Sequence, residues 1–208
     1  MPADSARTRT ANPLDAYLAE WDFAEAHRRM IDASIDRVWT AALAVTPREI
    51  RTLGPFIALR NLPRRLRGLR RLVTDLPSES APTERSLLQT FVAEGFVPLR
   101  LPDVPASGEA ALVLGAVGRF WSPAHNQPVR FDDAEAFAEF VEPGFAKVVI
   151  SLEARERSGA VEVSTETRIA CTDAAARRRF APYWALIRGP SGLIRRSWLA
   201  AIERRSRL

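Results

Sequence analysis

The chain has 208 residues, 47% of them hydrophobic and 26% charged, which suits one globular domain able to bury a full core without disulfides or metal. The single cysteine, Cys171, excludes an internal disulfide. No apolar run approaches the roughly 18 residues of a membrane span, and the polar opening MPADSARTRTAN lacks the apolar centre of a secretory signal, so no transmembrane segment and a cytoplasmic location are expected. The formal net charge is +5, and every basic residue except Lys147 is arginine.

Residues 1–14 read as a disordered tail, with room for a short lead-in helix between Asn12 and Glu20, and residues 15–208 as one domain. From Asp22 to Ile31 the pattern is that of a polar strand with Phe23, Glu25, His27, Arg29 and Ile31 on one face. A strand this charged suits an edge or the lining of a wet cavity. Ser34 can cap a following helix whose Ile35, Val38, Trp39, Ala42 and Leu43 form one apolar stripe. Pro47 opens a second short helix, closed by Gly54-Pro55. Residues 55–75 form an arginine-rich helical excursion, interrupted by Pro63 and Gly68.

The middle reads as an antiparallel meander. Thr83–Phe91 fits either a helical turn or a strand, and Phe131–Val141 is equally ambiguous. Gly95–Leu101 is a short strand, and the apolar run Ala110–Trp121 is a central strand buried on both faces. Phe145–Arg155 and Ala160–Cys171 make a hairpin, the second a half-buried strand with Val161, Val163, Thr165, Thr167 and Ile169 on one face and Glu162, Ser164, Glu166 and Arg168 on the other. Thr172 or Asp173 caps a terminal helix carrying Phe180, Trp184, Ile187, Ile194, Trp198 and Ile202 along one stripe. Gly189-Pro190 in its middle predicts a kink or a break.

Strand and helix first, meander next, long helix last is the order of folds that wrap a curved antiparallel sheet around a C-terminal helix. The expected class is therefore α+β, with six or seven strands gripping a long, kinked helix and a cavity between them. The opening pattern ending in IDRVWTAAL resembles the START-like, polyketide-cyclase-like superfamily, also called the Bet v 1-like or helix-grip fold. The runs LVLGAVGRFW (112–121), PGFAKVVISLEAR (143–155) and VSTETRIACTDAAARRRFAPYW (163–184) resemble an uncharacterised bacterial branch of it. The resemblance implies a fold rather than an activity. The superfamily includes lipid carriers, hormone receptors and aromatase/cyclase domains. The arginine-rich segment departs from its pattern, standing where early strands are expected.

The catalytic inventory is thin. There are two histidines, His27 and His125, no phosphate-cradling glycine loop, no nucleophile elbow, and no cluster at metal-ligand spacing. No catalytic residue, cofactor or metal is therefore expected, and Cys171 reads as a small hydrophobe. The expected function is non-catalytic binding of a small, mostly apolar molecule, lipid-like or aromatic. Candidate ligand-binding residues are His27, Trp39, Arg119, Trp121, Glu166 and Trp184. His27 is either a polar anchor in the cavity or a surface residue. Arg119 either binds a ligand carboxylate or pairs with Glu153 or Glu166. The alternatives are a cyclase- or hydrolase-like enzyme using His27 as general acid/base, and a basic module for an anionic surface. That module would use the arginine clusters at 60–71 and 195–207; without interleaved aromatics in the first cluster, no specific nucleic-acid partner is expected.

Overall fold

The computed structural model describes residues 12–50, 85–102, 108–122 and 128–208. Five strands form one sheet in the order β1-β5-β4-β3-β2, every neighbouring pair antiparallel: β1 (Phe23–Ile31), β2 (Val97–Arg100), β3 (Glu109–Gly118), β4 (Ala146–Arg157) and β5 (Ala160–Cys171). The α+β class and the long C-terminal helix stand. The expected six or seven strands reduce to five among the described residues, and the arginine-rich excursion at 55–75 lies outside them. Two ambiguous stretches resolve as helices because each carries a cap. Ser86 and Gln89 form a reciprocal capping box at the start of α2 (Leu87–Ala93), and Asp133 accepts from the Ala136 amide at the start of α3 (Ala134–Glu139).

Strand alternation sorts side chains onto two faces, and both are covered. The inner face carries Ala110, Leu112 and Leu114 of β3, Leu152 and Ala154 of β4, and Val161 and Val163 of β5. These pack against α1 (Ile35–Ala44), through Ile35, Val38, Trp39 and Ala42, and against the terminal helix α4 (Ala174–Ser206), through Trp198, Leu199 and Ile202. The outer face, with Val113, Val117 and Val149, packs against Phe137 of α3 and against Leu14 and Leu18. β3 is thus buried on both sides, as its apolar run predicts. The strand ends at Gly118, earlier than the sequence reading, because residues 119–122 turn, the Ser122 amide donating to the Arg119 carbonyl.

The lead-in is more ordered than a tail to residue 14 allows. Pro13–Ala16 forms a 3-10 turn capped by Asn12, and Leu14 is completely buried. A cross-sheet clamp holds it there. Arg168 of β5 reaches Asp15 at 2.6 Å and the Leu18 carbonyl at 3.1 Å, and its guanidinium lies 3.9 Å from the centre of the Trp21 ring. The single lysine, Lys147 of β4, holds α3 in a similar way, its Nζ donating to the Ala138 carbonyl at 2.8 Å while lying over the Phe137 ring.

The terminal helix runs unbroken from Ala174 to Ser206, so the expected break at Gly189-Pro190 does not occur. Two features explain this. Pro182 and Pro190 remove the amides that would bond the Arg178 and Leu186 carbonyls, but Arg178 and Leu186 lie on the solvent side of α4, where water can take those carbonyls. Gly189 also offers no Cβ for the proline ring to strike, which is the usual reason a residue before proline leaves the helical region. No helix among the described residues is long and apolar enough to cross a membrane.

Because α4 is one continuous helix, its last turns should belong to the core. Trp198 is 2% exposed and its ring centre lies 6.2 Å from that of Phe91. Trp198→Ala should cost about 3–5 kcal/mol in chemical denaturation, the range for removing a buried aromatic. A loss below about 1 kcal/mol would show the last turns to be an appendage.

Candidate functional site

The inner face is apolar except in one band. Antiparallel register places Glu25 beside Thr167 and His27 beside Thr165, so four polar side chains form a square on β1 and β5. Across from it stand Gly192 and Arg195 of α4, three residues apart and hence on one side of the helix. His27 Nε2 lies 2.9 Å from Glu25 Oε1, and Arg195 Nη1 donates to Thr165 Oγ1 at 3.0 Å. Gly192 permits the helix backbone to come this close: a Cβ there would lie 2.5 Å from Glu25 Oε1 and 3.2 Å from His27 Nε2.

The band is under-satisfied. Glu25 Oε2, Thr167 Oγ1, Arg195 Nε and Trp198 Nε1 are all buried without a hydrogen-bond partner. Arg195 is 8% exposed, and burial pushes its guanidinium down to about 10 while nearby Glu25 raises it. It stays a cation at neutral pH, buried against the polar side chains of β1 and β5. Buried polar groups are normally paired, so four orphans in one layer mark the place where the packing rule is relaxed.

The band adjoins an aromatic region, and a separate groove lies at the opposite edge of the sheet. At one end Phe23 precedes Glu25 on the same face of β1, and its ring centre lies 5.3 Å from that of Phe180 and 6.0 Å from that of Trp184. Trp121 meets Phe180 edge-on at 6.0 Å. At the far side, between α2 and β2, an open groove of about 240 Å³ is lined by Leu88, Val92, Pro98 and Leu101 and reaches the inner-face residues Leu112 and Leu114.

The six residues expected to bind a ligand therefore divide. His27, Trp121 and Trp184 line the layer between sheet and α4, the tryptophans beside the aromatic end of the band. Trp39 is packed into the core from α1. Glu166 is on the opposite face of the sheet, because β5 alternation turns it outward; it binds Arg168 at 2.7 Å and Asn12 at 2.8 Å. Arg119 sits past the end of β3 with its guanidinium 4.5 Å from the centre of the Phe145 ring, and neither Glu153 nor Glu166 is its partner. Glu153 instead takes Arg155 at 2.9 Å and Ser151 at 3.1 Å. His125 lies outside the described residues. Among the described residues no three His, Cys, Asp or Glu side chains are placed to hold a metal ion.

Glu25, Thr165, Thr167 and Arg195 are not among the candidates read from the sequence, although Glu25 shares the face of His27 and the two threonines that of Val161 and Val163. Arg195 reads as one of a basic cluster, although its spacing of three from Trp198 and seven from Ile202 puts it on the buried stripe. That cluster itself disperses. Arg195 turns inward, Arg204 and Arg205 bind Glu49, and Arg207 binds Glu203 at 2.6 Å. The cluster at 60–71 lies outside the described residues.

No family model matches the chain, and no curated protein does. Among solved structures it is similar to hypothetical protein jhp0584 from Helicobacter pylori, with a TM-score of 0.42 and 9% identity over 98% of this chain and 99% of that one. It is similar to TTHA0849 from Thermus thermophilus, with a TM-score of 0.29 and 15% identity over 88% and 97%. Ara h 8.0201 gives a TM-score of 0.26 and 8% identity over 88% and 97%.

Two outcomes test the local chemistry. Gly192→Ala should lack the ~1 kcal/mol that alanine ordinarily adds over glycine inside a helix, and the His27 ring resonances should shift as its carboxylate partner is displaced. A full gain with unmoved resonances would show that helix and pair do not touch. Cys171 is pushed up to about 12 by burial and by the Asp22 carboxylate. Its alkylation by iodoacetamide at pH 8 should be more than about a hundredfold slower in the folded than in the unfolded chain, since the thiolate is the reacting form; equal rates would refute the shift.

Proposed function

We propose that this protein binds a small, mostly apolar molecule, lipid-like or aromatic, between the sheet and α4, without transforming it, in a helix-grip architecture of the START-like kind. One observation carries the reading: a buried polar band with unpartnered donors and acceptors lies beside a cluster of four aromatic rings in the layer between sheet and helix. Ligand sites combine an apolar wall with a few convergent polar groups, and this layer supplies both. The groove between α2 and β2 gives a route of approach to the inner-face leucines of β3.

A second reading is favoured by a separate observation. His27 faces inward within hydrogen-bond reach of Glu25, which is the arrangement a general acid/base needs. A cyclase- or hydrolase-like reaction on a ketide or aromatic substrate would use that pair. The first reading fits better because the band lies beside an aromatic wall where an apolar body can rest, whereas the acid/base reading rests on one imidazole–carboxylate contact.

Native mass spectrometry of freshly purified full-length protein separates these from an empty fold. The expected result is a bound mass of small-molecule size, released on denaturation and recovered unchanged after incubation. Recovery of a chemically altered compound would replace the binding reading with the enzymatic one. The absence of any bound mass, together with no binding of an apolar fluorescent probe, would overturn both.

A further inference from the structure

The unpartnered atoms of the band specify what the ligand's polar end is. Glu25 has committed Oε1 to His27 and holds Oε2 buried and free; Arg195 has committed Nη1 to Thr165 and holds Nε buried and free. The two side chains are near enough to interact through space, yet they form no ion pair within 4.0 Å. Between them stand one unmatched acceptor and one unmatched donor, with Thr167 Oγ1, the cross-strand neighbour of Glu25, able to act as either.

Three kinds of ligand head group meet this arrangement differently. A carboxylate accepts from Arg195 but brings a second negative charge against Glu25 in a water-poor layer. An ammonium donates to Glu25 but faces the Arg195 guanidinium. A hydroxyl does both jobs at once, donating its proton to Glu25 Oε2 and accepting from Arg195 Nε, with no net charge to desolvate. We infer that the bound molecule carries an uncharged hydroxyl, phenolic or alcoholic, that bridges Glu25 and Arg195 while its apolar body lies toward Phe23, Phe180 and Trp184. Like charges are refused on either side, so the pair acts as a specificity filter as well as an anchor.

The inference rests on the binding reading and is tested so that the two can fail separately. The full chain is titrated with two matched series sharing one body each: 2-naphthol, 2-naphthoate and 2-naphthylmethylammonium, then decanol, decanoate and decylammonium. In at least one series the hydroxyl compound should bind at least about tenfold more tightly than both charged analogues, because a site built to hydrogen-bond a hydroxyl discriminates against groups that leave its buried atoms unpaired. Glu25→Gln removes the negative charge while keeping the shape. It should raise carboxylate affinity at least about tenfold and weaken the hydroxyl compound, with the fold checked by circular dichroism. Leu186→Ala, on the solvent side of α4 and away from the band, should leave the affinities and their ranking unchanged. A carboxylate or ammonium that binds the native chain more tightly than its hydroxyl analogue overturns the inference and leaves the binding reading standing. Carboxylate affinity unchanged in a folded Glu25→Gln variant does the same. Failure of all six compounds to bind overturns the binding reading, and the inference with it.

Discussion

A charged arginine buried between a sheet and a helix is the constraint around which this molecule is organised. Removing a guanidinium from water costs several kcal/mol unless it is paired and hydrogen-bonded. Arg195 has only Thr165 as a direct partner and Glu25 as a nearby charge. The opposing strands must therefore present polar side chains at that level, and they do, through Glu25, His27, Thr165 and Thr167. The helix must also come close enough for those groups to matter. Gly192, one turn before Arg195, removes the side chain that would hold the backbone away. Above and below the band the same layer returns to ordinary packing, with Leu199 and Ile202 on one side and Phe180 and Trp184 on the other.

The outer face solves the same problem in the opposite way. Arg168 is also buried, but it is saturated by Asp15, Glu166 and the Leu18 carbonyl, with Trp21 stacked over it. Burial lowers its affinity for a proton, yet these partners outweigh that, and its guanidinium is held above the ordinary arginine value. Arg195, with less around it, moves the other way. The contrast separates structure from site. Arg168 fastens the N-terminal turn to the sheet and has few bonds left to give, whereas Arg195 retains an unused donor.

Much of the architecture is legible in the sequence, because it depends on period and punctuation. The alternation in 161–169, the apolar run at 110–118, the stripe Ile35–Val38–Trp39–Ala42 and the Asp173 cap of the terminal helix are local signals, and local physics decides them. The failures have non-local causes. Phe131–Val141 and Thr83–Phe91 are ambiguous because short apolar runs fit both periods until a cap is weighed. Gly189-Pro190 reads as a break because the sequence does not state which side of the helix faces water. The candidate site is half legible. The face shared by Phe23, Glu25 and His27 can be read from β1 alone, but residue type suggests the cavity for Glu166 although its own strand turns it outward. Residue type suggests solvent for Arg195, which is buried. In both cases spacing is the better guide than chemistry.

The polar band contributes little to stability by itself. A buried charge with incomplete partners is commonly no better than a hydrophobic residue of similar volume, and often worse. Leucine or methionine at 195 would extend the stripe of Trp198 and Ile202, and valine at 165 and 167 would extend that of Val161 and Val163. An apolar layer of that kind would close more tightly and would lose every group able to orient a guest. The inner layer instead keeps donors and acceptors at one level and rings at the next, with the helix backbone drawn in at Gly192 to hold the level fixed. A molecule bound there as proposed would be oriented by its polar end rather than by shape alone. The same fixed geometry places His27 against Glu25, so the step from holding a hydroxyl compound to moving its proton would need few further groups. Binding and catalysis are therefore neighbouring uses of one arrangement, separated by what else stands within reach of the hydroxyl.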